Sequence, residues 1–211
     1  GVMRVAPVAL FVWHARHTEN AASRAFDLAN DLAAITHGHP TGQLAAGAFA
    51  VLVLGLVSGN ALGEALDVAI QCLKIRPNHE ETLQALEQAR SLAGSRLPVV
   101  DAIAELGGGW VAEEALAIAV YCSLVAKTFE EGVAYAVNHS GDSDSTGAMA
   151  GNLLGALHGM DAIPERWLRP LELREVISEV ADDLLDFTEW DIDEDGDGEG
   201  AESHFRKYPP N

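Results

Sequence analysis

The chain has 211 residues, enough for one domain, and 48 % of them are hydrophobic, as expected for a globular protein with a core. Its 32 acidic and 13 basic residues give a formal net charge of −19. That charge argues against nucleic acid and against an anionic membrane as partners, because both would repel the chain. Two cysteines within apolar helical patterns, and no signal-peptide pattern, indicate free thiols in a cytoplasmic protein.

Helical periodicity runs through nearly the whole chain, and no segment has a convincing strand pattern. In chain order we expect helices at residues 19–36, 41–57, 62–75, 80–93, 98–106, 111–126, 129–138, 146–157 and 171–190. The apolar run at residues 44–57 is too short to span a bilayer of about 30 Å, and predicts a buried helix. The fold class is therefore all-α, a compact orthogonal bundle of about eight or nine helices over residues 1–189.

Residues 190–211 are predicted to form an acidic, disordered tail. Between Glu172 and Glu202 there are 14 acidic residues and one base, which is typical of a solvated segment. The stretch from Asp191 to Glu202 also fits a calcium-binding loop, which leaves a calcium-responsive module as an alternative. Against calcium, Gly198 stands where such loops carry an apolar residue, and the sequence after Glu202 is too short for a good exit helix.

Two aspartates stand two residues apart in the stretch NHSGDSDSTGAMAGN, residues 138–152. Asp142 and Asp144 converge only if the backbone turns there, because residues i and i+2 do not share a helix face. A hydroxyl from Ser145 or Thr146 would add a third oxygen of the hard kind that Mg²⁺ prefers. The same residue types are preferred helix N-caps, so the pattern alone leaves a structural cap and half of a metal site open.

Three other stretches have both a structural and a functional interpretation. In THGHPTG, residues 36–42, His37 either bonds to a backbone carbonyl or donates into a polar cleft. In GGGWVAEE, residues 107–114, the glycines let a ligand approach the backbone, but they lack the spacing of a dinucleotide-binding loop. In the third stretch, at the N-terminus, Arg4 could bind phosphate or pair with a buried acid.

Together these four stretches resemble the ADP-ribosylglycohydrolase family, also called the dinitrogenase-reductase-activating glycohydrolases. The resemblance rests on MRVAP at residues 3–7, THGHPTG at residues 36–42, GWVAEEAL at residues 109–116 and above all SGDSDSTG at residues 140–147. The order and separation of these motifs also fit the family, and the likeness extends from Gly1 to about Phe187. Because the other three motifs accompany it, the aspartate stretch is interpreted as a metal loop.

The resemblance implies an all-α hydrolase that binds two divalent metals, Mg²⁺ or Mn²⁺, and cleaves ADP-ribose from a modified side chain. It implies C-terminal metal ligands at Asp142, Asp144 and Ser145, where Ser145 replaces a more common threonine. It implies substrate contacts from His37, from Gly1 at the end of a diphosphate-binding loop, and from Gly109 and Trp110 near the ribose.

The sequence departs from the family in one respect. The family's N-terminal portion, with a Gly-Asp…Gly…Glu segment and a Thr-Asp-Asp segment, is not found in these 211 residues. Asp182 and Asp183 do not replace the Thr-Asp-Asp segment, because they lie mid-helix without a hydroxyl neighbour. We therefore expect no catalytic residue within this chain, a general acid/base upstream of Gly1, and little or no activity for the chain alone.

Two hypotheses follow. In the first, the chain is part of an enzyme that acts on ADP-ribosylated protein or ADP-ribose, completed in cis or by a separate N-terminal chain. In the second, it is a non-catalytic helical module that binds ADP-ribose or only packs against other proteins.

Overall fold

The regular elements in the computed structural model, which describes residues 1–190 and 205–209, are all helical. The α-helices are α1 (Ala6–Trp13), α2 (Ala21–Ala34), α3 (Pro40–Val57), α4 (Leu62–Lys74), α5 (Glu80–Ala93), α6 (Val99–Leu106), α7 (Ala112–Val125), α8 (Phe129–Val137), α9 (Ser143–His158), α10 (Glu165–Leu168) and α11 (Arg174–Asp186). Short 3₁₀ turns lie at Val2–Arg4, Met160–Ala162 and Phe187–Glu189, and residues 205–207 form a further helical turn. The predicted all-α class is confirmed over these residues.

The described residues hold eleven α-helices rather than eight or nine, and α1 and α10 account for the difference. The sequence of α1, APVALFVW, is apolar on every side and therefore shows no amphipathic period. It forms a helix because it packs between α2, α3 and α11, with Val8, Ala9 and Val12 buried. α10 is a single turn, too short for a periodic pattern.

The core is built around α3, which contacts α1, α2, α4, α7 and α9. Thirteen of its 18 residues are buried, so it is apolar all round, as expected of a central helix. Small residues let its neighbours come close: a Cβ at Gly47 would lie 2.6 Å from the ring of Phe26 on α2. By length and mean hydropathy (1.7) α3 would pass for a membrane span, yet 72 % of it is buried inside the protein.

The second buried helix is α7, which packs against α3, α5, α8 and α9. Its residues from Ala115 to Ser123 are all buried, whereas its first turn carries Glu113 and Glu114 at the protein surface. Acidic residues suit the positive end of a helix. Because α7 is fixed along its length by the core, its N-terminus is a rigid support for the glycine-rich loop before it.

The C-terminal helix α11 lies on the outside of the bundle, and none of its residues is fully buried. Phe187, just after it, stacks on Phe11 of α1 at 4.8 Å between ring centroids. Residues 205–209 return to the same helix, where Lys207 pairs with Glu179 at 2.6 Å and with Asp183 at 2.5 Å. The calcium-loop candidate at Asp191–Glu202 lies outside the described residues.

Burial predicts different reactivity for the two cysteines. Cys122 is fully buried in α7, and burial raises its pKa to about 12, so roughly one thiol in ten thousand is ionised at pH 8. We expect a Cys72→Ser variant, which keeps only Cys122, to resist maleimide until denaturant unfolds it, as followed by mass spectrometry. In the reciprocal Cys122→Ser variant, the half-buried Cys72 should be modified in the native state. Rapid native labelling of Cys122 would contradict its place in the core.

Candidate functional site

The four sequence stretches, far apart in the chain, meet at one cleft of about 620 Å³. Its walls are the N-terminal turn, the corner between α2 and α3, the loop between α6 and α7, and the first turn of α9. Of the seven predicted site residues, six line this cleft: Gly1, His37, Gly109, Trp110, Asp142 and Ser145. The seventh, Asp144, does not line it but lies beside Asp142.

The aspartate stretch forms the start of α9, which begins at Ser143, three residues earlier than predicted. Asp142 holds the N-cap position, but its side chain makes no capping hydrogen bond, so the cap interpretation of this carboxyl is wrong. The Asp142 and Asp144 carboxyls lie beside each other. The neighbouring Asp142 side chain, followed by the backbone N–H groups of Asp144 and Ser145, holds the pKa of Asp144 below its usual range.

Gly141 lies in a bend of the backbone just before α9, and its φ does not lie in the left-handed region. Its importance is steric, because a Cβ there would overlap the carbonyl of Gly108. This close approach lets the backbone N–H of Asp142 donate to the oxygen of Gly108 at 2.8 Å. The metal-loop candidate and the glycine-rich loop are thus joined backbone to backbone.

The two hydroxyls after Asp144 point to different places. Ser145 lines the cleft, and its Oγ donates to the sulfur of Met3 at 3.3 Å. Thr146 is fully buried and donates to the carbonyl of Ala136 at 2.6 Å, where His139 also contacts it at 2.9 Å. Ser145 is therefore the hydroxyl available to a ligand, whereas Thr146 attaches α9 to the end of α8.

The glycine-rich loop is held by a residue that the sequence analysis did not single out as part of the site. Glu114 accepts hydrogen bonds from the backbone N–H groups of Gly108 at 3.1 Å and Gly109 at 3.0 Å. Gly109 is buried with a φ of 72°, a conformation that favours glycine. Trp110 next to it is 73 % exposed at the cleft rim.

His37 is oriented by a short chain of polar contacts. Arg4 donates to the Leu32 carbonyl at 3.0 Å and to Thr36 Oγ1 at 2.6 Å, and Thr36 Oγ1 lies 2.8 Å from His37 Nδ1. Among the described residues Arg4 therefore does not pair with a buried acid. The backbone nitrogen of Gly1 lies 3.2 Å from His37 Nε2.

The donor set at the start of α9 is small. The carboxyls of Asp142 and Asp144 and the hydroxyl of Ser145 are hard oxygen donors, the ligand types that Mg²⁺ takes. Among the described residues no three His, Cys, Asp or Glu side chains are grouped as a cation site. Glu113 also lines the cleft, as do Met3 and Thr36, which the sequence analysis did not assign to the site.

Comparisons with known proteins agree in family and in fold. The sequence model of the family described as ADP-ribosylglycohydrolase matches residues 1–193. An uncharacterized protein of Archaeoglobus fulgidus is 33 % identical over 184 residues, which is 87 % of this chain and 56 % of that protein. The ADP-ribosylarginine hydrolase Tri1 of Pseudomonas putida is 25 % identical over 185 residues, 88 % of this chain and 45 % of Tri1.

A solved structure described as an ADP-ribosylglycohydrolase-related protein complex superposes with a TM-score of 0.55 at 30 % identity. The superposition covers 83 % of this chain and 56 % of that one. The chain therefore spans about half the length of the relatives that it matches.

Proposed function

The chain belongs to the ADP-ribosylglycohydrolase family, and from this premise we propose that it forms the substrate cleft and half of the metal site of an enzyme that removes ADP-ribose from protein side chains. The convergence of the motifs carries the proposal. Residues 1, 37, 109, 110, 142 and 145 come from four separate stretches and line one cleft. Its volume of about 620 Å³ lies within the range of small-molecule sites.

Mg²⁺ is the proposed cofactor, with Mn²⁺ as a substitute and two ions in the complete site. Asp142, Asp144 and Ser145 would hold the metal, because all three stand at the start of α9 and supply oxygen donors with no soft donor among them. When bound, the metal would polarise ribose hydroxyls and lower the pKa of a bound water. The first turn of α9 also places the carboxylate of Asp144 at a positive helix end, which favours its ionised form.

The substrate contacts are proposed from the rest of the cleft. His37 can form a hydrogen bond to a ligand through its ring, and the Arg4–Thr36 pair fixes the orientation of that ring. Trp110 offers an exposed aromatic face at the rim, suited to stack on a base or cover a sugar. The backbone near Gly109 can approach a ligand closely.

The remaining metal ligands and the general acid/base are proposed to come from a segment outside these 211 residues, in the same protein or in a separate chain. Two observations support this. Among the described residues no three His, Cys, Asp or Glu side chains form a group that could hold a metal ion, and the relatives are nearly twice as long as the part matched here.

The test compares binding with turnover. We expect the 211-residue chain to bind ADP-ribose in calorimetry with Mg²⁺ present, and to release no ADP-ribose from an ADP-ribosylated peptide. The protein extended by the sequence encoded upstream should bind ADP-ribose and also release it from the ADP-ribosylated peptide. Robust turnover by the 211 residues would contradict the half-site, and no ADP-ribose binding by either form would contradict the proposed function. Binding without turnover by the extended protein would favour the non-catalytic module.

A further inference from the structure

Glu114 does not line the cleft, yet one of its oxygens, Oε2, receives two backbone hydrogen bonds from the loop that does. We propose that Glu114 is a positioning residue that fixes the loop of residues 107–110 and, through it, the placement of Asp142. The inference rests on the proposed function for its effect on ADP-ribose, but its structural part is independent of any ligand.

The loop needs an anchor because fixing it in one conformation costs entropy. Gly107 and Gly109 have positive φ, 111° and 72°, which glycine adopts freely, and a glycine-rich segment that is not held has high conformational entropy. A carboxylate that accepts from two N–H groups makes charge-assisted hydrogen bonds, which are stronger than neutral ones. Glu114 is also at the third position of α7, where the positive helix end stabilises its negative charge.

The geometry differs from an ordinary capping box. In that motif the acid at the third helical position bonds the N–H of the N-cap residue, which is Val111 in α7. Here Glu114 reaches past Val111 and Trp110 to Gly109 and Gly108. The two bonds therefore bend the loop back over the helix N-terminus, which leaves Trp110 at the rim of the cleft.

The same loop reaches the metal-loop candidate. The oxygen of Gly108 accepts the N–H of Asp142 at 2.8 Å, while the N–H of Gly108 donates to Glu114 at 3.1 Å. One peptide segment thus connects the two acids, and a shift of Gly108 moves the backbone of Asp142. Glu113, the adjacent acid, lines the cleft directly and makes no such connection between loops.

The experiment uses Glu114→Ala, the conservative Glu114→Gln, and Glu105→Gln as a control for loss of one negative charge, since Glu105 is exposed on α6. Amide hydrogen exchange is measured for each variant, together with the ADP-ribose affinity by calorimetry. For Glu114→Ala we expect faster exchange confined to Gly108, Gly109 and Asp142, and about a tenfold weaker affinity, the scale of a lost charge-assisted bond. Gln keeps an acceptor oxygen, so Glu114→Gln should fall between Ala and the wild type.

The outcomes separate the positioning role of Glu114 from its effect on ADP-ribose binding. Unchanged exchange at Asp142 in Glu114→Ala overturns the positioning role, and so does faster exchange spread along all of α7, which is the sign of a merely structural residue. Local exchange changes with unchanged ADP-ribose affinity overturn its link to binding. If the wild type does not bind ADP-ribose, the proposed function fails, while the exchange data at Asp142 still decide the positioning role.

Discussion

Replacement of Asp142 by Ala is expected to remove metal-dependent hydrolysis by the complete enzyme, with a loss greater than about a hundredfold. Loss of groups that only support metal ligands already costs about 10–100-fold in metal affinity or activity, so loss of a direct ligand should cost more. Asp142 combines three properties: its carboxyl lies beside that of Asp144, it lines the cleft, and its backbone is held by Gly108.

Mg²⁺ affinity by calorimetry and ADP-ribose release by the extended protein are the two measurements. Asp182→Ala is the matched control, because Asp182 is an exposed acid on α11 and does not line the cleft. An Asp142→Ala protein that keeps the wild-type Mg²⁺ affinity would show that the carboxyl is not a metal ligand.

Gly141→Ala is expected to damage the site by steric means, without any change in charge. The added Cβ would overlap the backbone of Gly108, which cannot move aside as a flexible side chain does. Overpacking of this kind costs about 1–3 kcal/mol. We therefore expect a lower free energy of unfolding in urea, together with weakened ADP-ribose and Mg²⁺ binding, because the contact between Asp142 and Gly108 is lost.

A glycine within α9 itself gives the control. A Cβ at Gly151 meets no atom within 4 Å. Gly151→Ala should leave binding unchanged and stabilise the protein by about 0.5–1 kcal/mol, since alanine is the better helix former. If Gly141→Ala were as stable as Gly151→Ala, the close approach of the two loops would be disproved.

Much of the fold was predictable because its helices are strongly periodic and end at glycine or proline. The predicted helices at 62–75 and 80–93 agree with α4 and α5 to within one residue. The prediction was weaker where local propensity and packing disagree. Ser143, Asp144 and Ser145 favour caps and turns, so the helix was expected to begin later. In the structure, Thr146 and the Gly108 carbonyl fix the start of α9, and tertiary contacts outweigh the propensity.

The sequence by itself determined the helical class and the motifs that resemble the family. The residue spacing left open whether the hydroxyl of Ser145 or that of Thr146 faces the cleft, and it did not assign Glu114 to the site. Only the tertiary structure decided these points, because consecutive helix residues point about 100° apart. Once α9 packs on α8, Thr146 is turned into the core and Ser145 into the cleft, where the helical bundle brings residues 37, 109 and 142 together.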